Sequence, residues 1–551
     1  MARTFEFHGG IYPPERKQRS LVPVRHATLP SRVVLRLDQH TGRPALATVA
    51  VGERVSVGTP IARRDGMISA DLHASISGTV SHMDAKAITI DSDGYDTWER
   101  LAPLEWPTAS AEQLLARLEQ SGVVGLGGGG FPTHIKARVG ERQRIDTLVV
   151  NAAECEPYIT TDDLTLQHFA LEVLEGAQLI ASLCSAKHII VGIEDNKPDA
   201  IHALRQAIGV SHPLPITLSV MTTRYPSGGE RQLIKTLLNR DVPNQGLPVD
   251  VGVLCHNPGT LLAALRAVRD GEPLVERLVT LTGEAISDPG NRWVRIGTPI
   301  VTLLDEAGLN RSVLHQLIEG GPMMGTPLPD LGASVTKATN CLIAATWEEL
   351  PPAPPETPCI RCGACEDVCP ANLLPQQLHW YARANDDDKL AHYRLFDCIE
   401  CNACSYVCPS HIPLVADYRS AKTRLRHQQL ETAKAEHAKH RFEWRQARLA
   451  REEAQKQARR QARLAKQRPP QAHDSQAPSP QADLRSLRIA QTAAKAAVRK
   501  AEKNLARAAQ QDPQQAHDDL ETQLATAQEN LHAAEARLAE AREADAPQEI
   551  P

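Results

Sequence analysis

Residues 359–370 read CIRCGACEDVCP and residues 398–409 read CIECNACSYVCP, two copies of one pattern holding eight of the chain's twelve cysteines. Three cysteines at two-residue gaps wrap one corner of an iron–sulfur cubane, and a fourth, followed by proline, leaves the loop. Structural zinc uses paired C-x-x-C knuckles without a regular third and fourth cysteine. Disulfides belong to oxidising compartments, and Cys155, Cys184, Cys255 and Cys341 lie scattered without a pairing pattern. The spacing therefore predicts two 4Fe-4S clusters and an electron-carrying chain. Between the motifs, LLPQQLHWYARANDDDKLAHYRLFD (373–397) repeats its apolar residues at helical spacing, so this module is expected to be helical.

In two-cluster ferredoxins the fourth cysteine of each motif serves the other cluster. Carried over, Cys359, Cys362, Cys365 and Cys408 hold one cluster, and Cys369, Cys398, Cys401 and Cys404 the second. A length of 551 residues exceeds one core and predicts three to five domains, and a net charge of −5 argues against a nucleic-acid partner. The first twenty residues, MARTFEFHGGIYPPERKQRS, carry no apolar signal region, and no stretch approaches ~18 uninterrupted apolar residues. A soluble, cytoplasmic chain is expected.

Working toward the N-terminus, residues 33–84 alternate short Val/Ile/Leu runs with Gly-containing turns, the pattern of an all-β domain over 1–105. The stretch resembles the half-barrels of biotinyl and lipoyl carriers, but Gly66 stands where those hold a lysine, so a structural barrel-sandwich is expected. From 110 to 275 the period changes. SAEQLLARLEQSG, TLVVNAAECEP (147–157), LQHFALEVLEGAQLIASLCSA (166–186) and HIIVGIED (188–195) alternate helical and strand patterns, predicting a Rossmann-like α/β layer with a largely parallel sheet. Within it, Gly125-Leu126-Gly127-Gly128-Gly129-Gly130-Phe131-Pro132-Thr133-His134-Ile135-Lys136 offers backbone amides without Cβ obstruction, and a nearby cation, to a phosphate. It is neither a G-x-G-x-x-G fingerprint nor a P-loop.

With the clusters at Asn151–Tyr158, Tyr225–Arg231 and Cys255–Thr260, this loop resembles the flavin- and NADH-binding subunit of respiratory complex I and its hydrogenase relatives. The resemblance implies that Gly127, Gly128, Gly130 and Lys136 hold FMN phosphate. It further implies that Asn151, Glu154, Glu156, Gly228 and Glu230 line flavin and nicotinamide, and that Asn257 and Thr260 close the pocket. Leu126 replaces that family's arginine, Ala153 its aspartate, Cys155 a glycine and Gly229 a glutamate. HGGIYPPERK, GGGFPTHIK, VVNAAECEPYITTDD, IEGGPMMG (318–325) and the paired cysteine motifs, in that order, resemble the C subunit of the Rnf-type electron transport complex. That likeness implies a peripheral subunit on the cytoplasmic face of a bacterial inner membrane. It would pass electrons between NAD(H), FMN and two 4Fe-4S clusters to membrane-embedded, ion-translocating partners, with ferredoxin as a partner of the complex and no catalytic acid–base group. A flavin-free two-cluster relay and the diaphorase subunit of a soluble bifurcating enzyme are the other readings.

Residues 278–305 resemble an SLBB-like β-grasp module, expected over 276–335. WEELPPAPPETP (347–358) reads as a proline-rich tether to the ferredoxin domain at 359–420. The tail, 421–551, is Ala, Gln and charge: a low-complexity helical or disordered segment with a basic first part, a split at 468–481, and leucines near heptad spacing toward its end.

Overall fold

The computed structural model describes residues 4–138, 143–244, 246–466, 480–511 and 518–544. It falls into two compact units, Met1–Ala435 and Glu436–Pro551. Residues 468–479 of the proline-rich split lie outside the described residues.

The first unit begins with β1 (Arg25–His26), followed by a sandwich of seven short strands: β2 (Arg32–Arg36), β3 (Leu46–Ala47), β4 (Arg54–Val55), β5 (Pro60–Arg63), β6 (Leu72–His73), β7 (Gly78–Met83) and β8 (Ala87–Ser92). They form the antiparallel sheets β2-β8-β7-β4 and β3-β5-β6. Alternate residues point inward, so Val33, Leu35, Ile61, Leu72, Ile88 and Ile90 are buried between the sheets, each contributing ~1.5–3 kcal/mol. Gly66 is exposed in the turn between β5 and β6, at positive φ.

The α/β layer contains α1 (Ala111–Gln120), α2 (Thr133–Arg138), β9 (Thr147–Ala152), α3 (Thr161–Cys184), β10 (His188–Glu194), α4 (Pro198–Ile208), β11 (Ile216–Met221), α5 (Glu230–Leu238), β12 (Val253–His256) and α6 (Pro258–Arg269). Ser110 and Gln113 form a capping box that starts α1. The four strands are parallel, in the order β11-β10-β9-β12. Helices cover both faces, which is why β9 and β10 read as continuous apolar runs rather than alternating ones. Strand order reverses between β9 and β12, and a doubly wound sheet leaves a crevice beyond the carboxyl ends of the strands at such a switch. Asn151 and Asn257 stand at those two ends.

A six-stranded sheet follows, ordered β1-β14-β13-β17-β15-β16. It is built from β13 (Glu276–Thr282), β14 (Gly290–Arg295), β15 (Gln316–Glu319), β16 (Thr326–Leu328) and β17 (Cys341–Ala345), with α7 (Ile300–Glu306) packed on it. Parallel pairing of β17 with β13 carries the sheet past residue 335, and β1 joins it from far upstream. Residues 351–358 are exposed and without regular structure. They lead to a helical module: α8 (Ala364–Asp367), α9 (Pro375–Ala384), α10 (Asp387–His392), α11 (Ala403–Tyr406) and the start of α12 (Leu414–Lys466), around Leu378, Leu390, Leu395, Leu414 and Tyr418.

The N-terminal HGG stretch is a strap between layers. Gly10 N–H donates to Val368 O at 2.9 Å, Ile11 and Tyr225 exchange backbone bonds at 2.8 and 2.9 Å, and Lys17 Nζ donates to the carbonyls of Glu154 and Ile159 at 2.7 and 2.6 Å. Gly9 sits at φ +72°, and a Cβ there would fall 2.6 Å from Val368 backbone. Only glycine lets the strap pass so close to the cysteine motif.

In the second unit α13 (Pro480–Gln511) packs against α14 (Asp518–Ala544). Leu524 and Leu531 are half-buried and Leu538 buried, seven residues apart, so the heptad leucines meet a neighbouring helix of the same chain.

Candidate functional site: a glycine-lined cavity beside two cysteine cages

The Gly loop between α1 and α2 is closed by its own backbone, Gly125 N–H to Phe131 O at 2.9 Å and Gly130 N–H to Gly125 O at 3.1 Å. It is braced from within the layer and from outside it as well. Thr41 of the sandwich donates its hydroxyl to Gly129 O at 2.7 Å and its N–H to Gly130 O at 3.0 Å, Leu126 N–H donates to Thr260 Oγ1 at 2.8 Å, and Arg277 Nη2 to Leu126 O at 3.2 Å. A Cβ on Gly128 or Gly129 would meet nothing within 4 Å, so those amides border open space.

Two adjoining cavities share Gly127, Glu156 and Met324. The first, about 440 Å³, brings together Gly127, Asn151, Glu154, Glu156, Gly228, Glu230 and Asn257. The second, about 700 Å³, is walled by Gly127–Gly130, the sandwich residues Arg36, Asp38, Gln39, His40 and Thr41, and the turn around Gly321. Lys136 and Thr260 lie behind the loop. Lys136 Nζ donates to Glu230 Oε1 at 3.0 Å and to Cys255 O at 2.6 Å. Asn257 caps α6 by accepting from Gly259 N–H at 2.9 Å, and its Nδ2 donates to Asp162 Oδ2 at 2.6 Å. Burial first, then the Glu154 charge, pushes Asp162 up to about 7.

The two glutamates of the Glu-Cys-Glu segment do different things. Glu154 is buried and accepts from Thr161 Oγ1 at 3.0 Å and from the N–H groups of Asp162 and Asp163 at 2.8 and 3.3 Å, so its carboxylate caps the N-terminus of α3. Glu156 accepts from Met324 N–H at 2.7 Å, its Oε2 is buried without a partner, and Gly321 packs on its side chain. Burial lifts its carboxyl from 4.5 to about 7 against the lowering by the N–H groups of Met324 and Met323. Between pH 4.5 and about 7 the folded chain holds a proton that the unfolded chain has lost, so this group's contribution is full below 4.5 and disappears as pH rises through 7. Glu156→Gln keeps the neutral shape at every pH. In cofactor-free protein its urea-unfolding free energy is expected to gain on the parent by about 3 kcal/mol between pH 4.5 and 8; parallel pH profiles for the two chains would contradict the assignment.

The eight motif cysteines sort into two sets. Cys359, Cys362, Cys365 and Cys408 line one cavity of about 390 Å³, and Cys369, Cys398, Cys401 and Cys404 line a tighter one. These are the sets that crossed ligation gives. Among the described residues no three His, Cys, Asp or Glu groups are drawn together as ligands of a single ion are; cubane thiolates stand apart, one to each iron. Burial pushes the free thiols of Cys365 and Cys401 up to about 11 and 12, so iron has to supply the positive charge that deprotonates them. Leu373 N–H on Cys369 Sγ and Glu400 N–H on Cys398 Sγ, both 3.4 Å, are the kind of bond that tunes a cluster's potential.

The second set abuts the 440 Å³ cavity. Ile399, between Cys398 and Cys401 in the chain, lines that cavity with Tyr225, and Tyr225 Oη donates to Cys401 O at 2.7 Å. Gln232 Nε2 donates to Pro370 O at 3.1 Å and His8 Nδ1 to Cys369 O at 3.1 Å. The first set faces outward, with Cys362 exposed and Ile360 69% exposed.

With this geometry the comparisons agree. Residues 118–266 match the Nuo51 FMN-binding domain, residues 5–96 the RnfC barrel sandwich hybrid domain, and residues 358–412 a 4Fe-4S dicluster domain. The C subunit of an ion-translocating oxidoreductase complex from Salmonella gallinarum is 47% identical over 470 residues, covering 83% of this chain and 69% of that one. The chain belongs to the family of C subunits of ion-translocating oxidoreductase complexes. The C subunits from Erwinia tasmaniensis and Pseudomonas aeruginosa are 48% and 47% identical over 83% and 84% of this chain, which spans 58% and 61% of their length. The chain combines a barrel-sandwich domain, an FMN-binding domain and a 4Fe-4S dicluster domain in a mixed α/β frame. Among the described residues no helix is long and apolar enough to cross a membrane.

The residues fit both groups. Gly128 and Gly129 border space, the 440 Å³ cavity gathers seven of the eleven residues carried over for cofactor binding, and of the two four-cysteine sets the second abuts it. The wall of Arg36, Asp38, Gln39, His40 and Thr41 and the Met324 turn go beyond the residues to which the sequence points; for the turn, IEGGPMMG is the only signal.

Proposed function

We propose that this protein is the electron-input subunit of a membrane-bound, ion-translocating complex, taking electrons from NADH and delivering them singly to membrane-embedded partner subunits. FMN, when bound, supplies the conversion between a two-electron donor and one-electron clusters. Asn151, Gly228 and the Gly loop, with Lys136 and Glu230, would hold the flavin. Glu154 fixes the loop's shape from the α3 terminus, while Glu156, which borders both cavities, would line the nicotinamide site. Cys369, Cys398, Cys401 and Cys404 carry the inner cluster, and Cys359, Cys362, Cys365 and Cys408 the outer one, next to the exposed exit. The Tyr225–Cys401 contact carries this reading, because it joins the wall of the flavin cavity to one cage alone.

The sheet at 276–345 serves as an SLBB-like packing module, the exposed 351–358 segment as a tether, and the chain sits peripherally on the cytoplasmic face of the membrane, with ferredoxin a partner of the whole complex. One observation favours a flavin-free relay instead: Lys136 is already tied to Glu230. Flavin content separates the two. Iron-loaded chain incubated with FMN and desalted should retain flavin absorbance, whereas protein that keeps its clusters and releases all flavin is a relay.

A further inference from the structure

From His427 to Ala465 every described residue of α12 is exposed. A helix exposed all round buries no face, and its stability gains nothing from a core. Two exposed pairs lie on it within the second unit, His440 with Glu443 at 3.6 Å and Arg448 with Glu452 at 3.8 Å, the second worth a few tenths of a kcal/mol. Its charge is one-sided in sign and in place. Residues 436–465 hold nine Lys and Arg against four Glu and no Asp. Arg441, Arg445, Arg448, Lys456, Arg459 and Arg463 follow at steps of 4, 3, 8, 3 and 4, and at about 100° per residue all six fall within an arc of about 80°.

Glu452 is the single acid in that arc. Leu449, Phe442 and Leu464 run along one border, with Glu453 and Arg460 among them, and Trp444 along the other, with Phe442 62% and Trp444 79% exposed. The remaining side is Ala, Gln, Glu436 and Glu443, with a few bases scattered on it. The helix therefore has a cationic stripe edged by large apolar side chains and a bland back.

We propose that this face of α12 lies on an anionic phospholipid surface, the arginines and lysine at the headgroups and the bordering aromatics and leucines at the boundary with the acyl chains. A polyanion without an apolar layer would satisfy the stripe alone; the apolar borders on both sides select a lipid surface over duplex nucleic acid. The proposal stands on this helix and not on the electron route.

The test uses the full iron-loaded chain, sedimented with vesicles of phosphatidylethanolamine and phosphatidylglycerol or with vesicles of phosphatidylcholine alone. Binding is expected to the anionic vesicles, to be released by salt, and to be absent with phosphatidylcholine. Each basic side chain near such a surface is worth ~1 kcal/mol, so the triple change Arg441→Gln, Arg445→Gln, Arg448→Gln should weaken binding ~100-fold, while lysine at the same three positions should preserve most of it. Because this stretch carries no core, iron and flavin content should be unchanged in both variants. Equal binding to the two vesicle types, undiminished binding by the glutamine variant, or retention by duplex DNA in place of anionic vesicles would each overturn the proposal.

Discussion

A Cys401→Ala chain is expected to lose the low-temperature EPR signal of the inner cluster and, with it, all NADH-driven reduction of the outer one, while flavin bleaching by NADH persists. Cys401 is buried, its carbonyl accepts from Tyr225 in the cavity wall, and Ile399 beside it borders the cavity. Among the described residues nothing comparable ties the outer set to the cavity: Cys359, Cys362, Cys365 and Cys408 line a separate hollow, with Cys362 exposed. The reciprocal change, Cys362→Ala, should leave the inner cluster reducible by NADH and abolish delivery to an external one-electron acceptor. Freeze-quenched EPR of the two variants reads the order directly. An outer cluster reduced at the parent's rate in the Cys401 variant would reverse it.

The second large effect is expected at Gly228. A Cβ there would fall 2.3 Å from Ala153 O and 3.2 Å from Cys155 Sγ, and the first of these is backbone that cannot rotate away. The same glycine accepts from Asn151 Nδ2 at 2.9 Å and donates its N–H to Cys155 Sγ at 3.3 Å. Gly228→Ala must therefore push the 153–156 loop and the 225–230 loop apart at the floor of the cavity. Overpacking of this kind costs about 1–3 kcal/mol, here levied on the bound geometry, so FMN affinity should fall ~5- to 150-fold. Quenching of FMN fluorescence on titration into flavin-free protein measures it. Unchanged affinity would mean that the flavin does not use this part of the wall.

How much of this was legible in the sequence depends on how local the signal is. The cysteine spacing is local chemistry, and the two sets it implies are the two sets that line separate cavities. The parallel sheet was readable because β9 and β10, buried on both faces, are largely apolar runs, whereas four consecutive glycines alone read as readily as a flexible turn, and only the clusters after β9, β11 and β12 mark the loop as part of a site. What sequence pattern could not show are contacts made by distant parts of the chain. Glu154 and Glu156 look equivalent two residues apart, yet one caps α3 while the other lies under the turn at Met324, which enters from 168 residues away. The bracing of the Gly loop by Thr41 belongs to a different domain, and the Tyr225–Cys401 bond spans 176 residues. The HGG strap gave a motif without a reason until Gly9 was seen against Val368.

The most direct test is an anaerobic NADH titration of the full chain reconstituted with iron, sulfide and FMN, followed by visible absorbance and low-temperature EPR. Flavin bleaching accompanied by signals from two reduced 4Fe-4S clusters is the predicted result. Clusters that stay oxidised beside an unbleached flavin, at NADH in excess over all acceptors, would contradict an NADH-fed electron-input subunit.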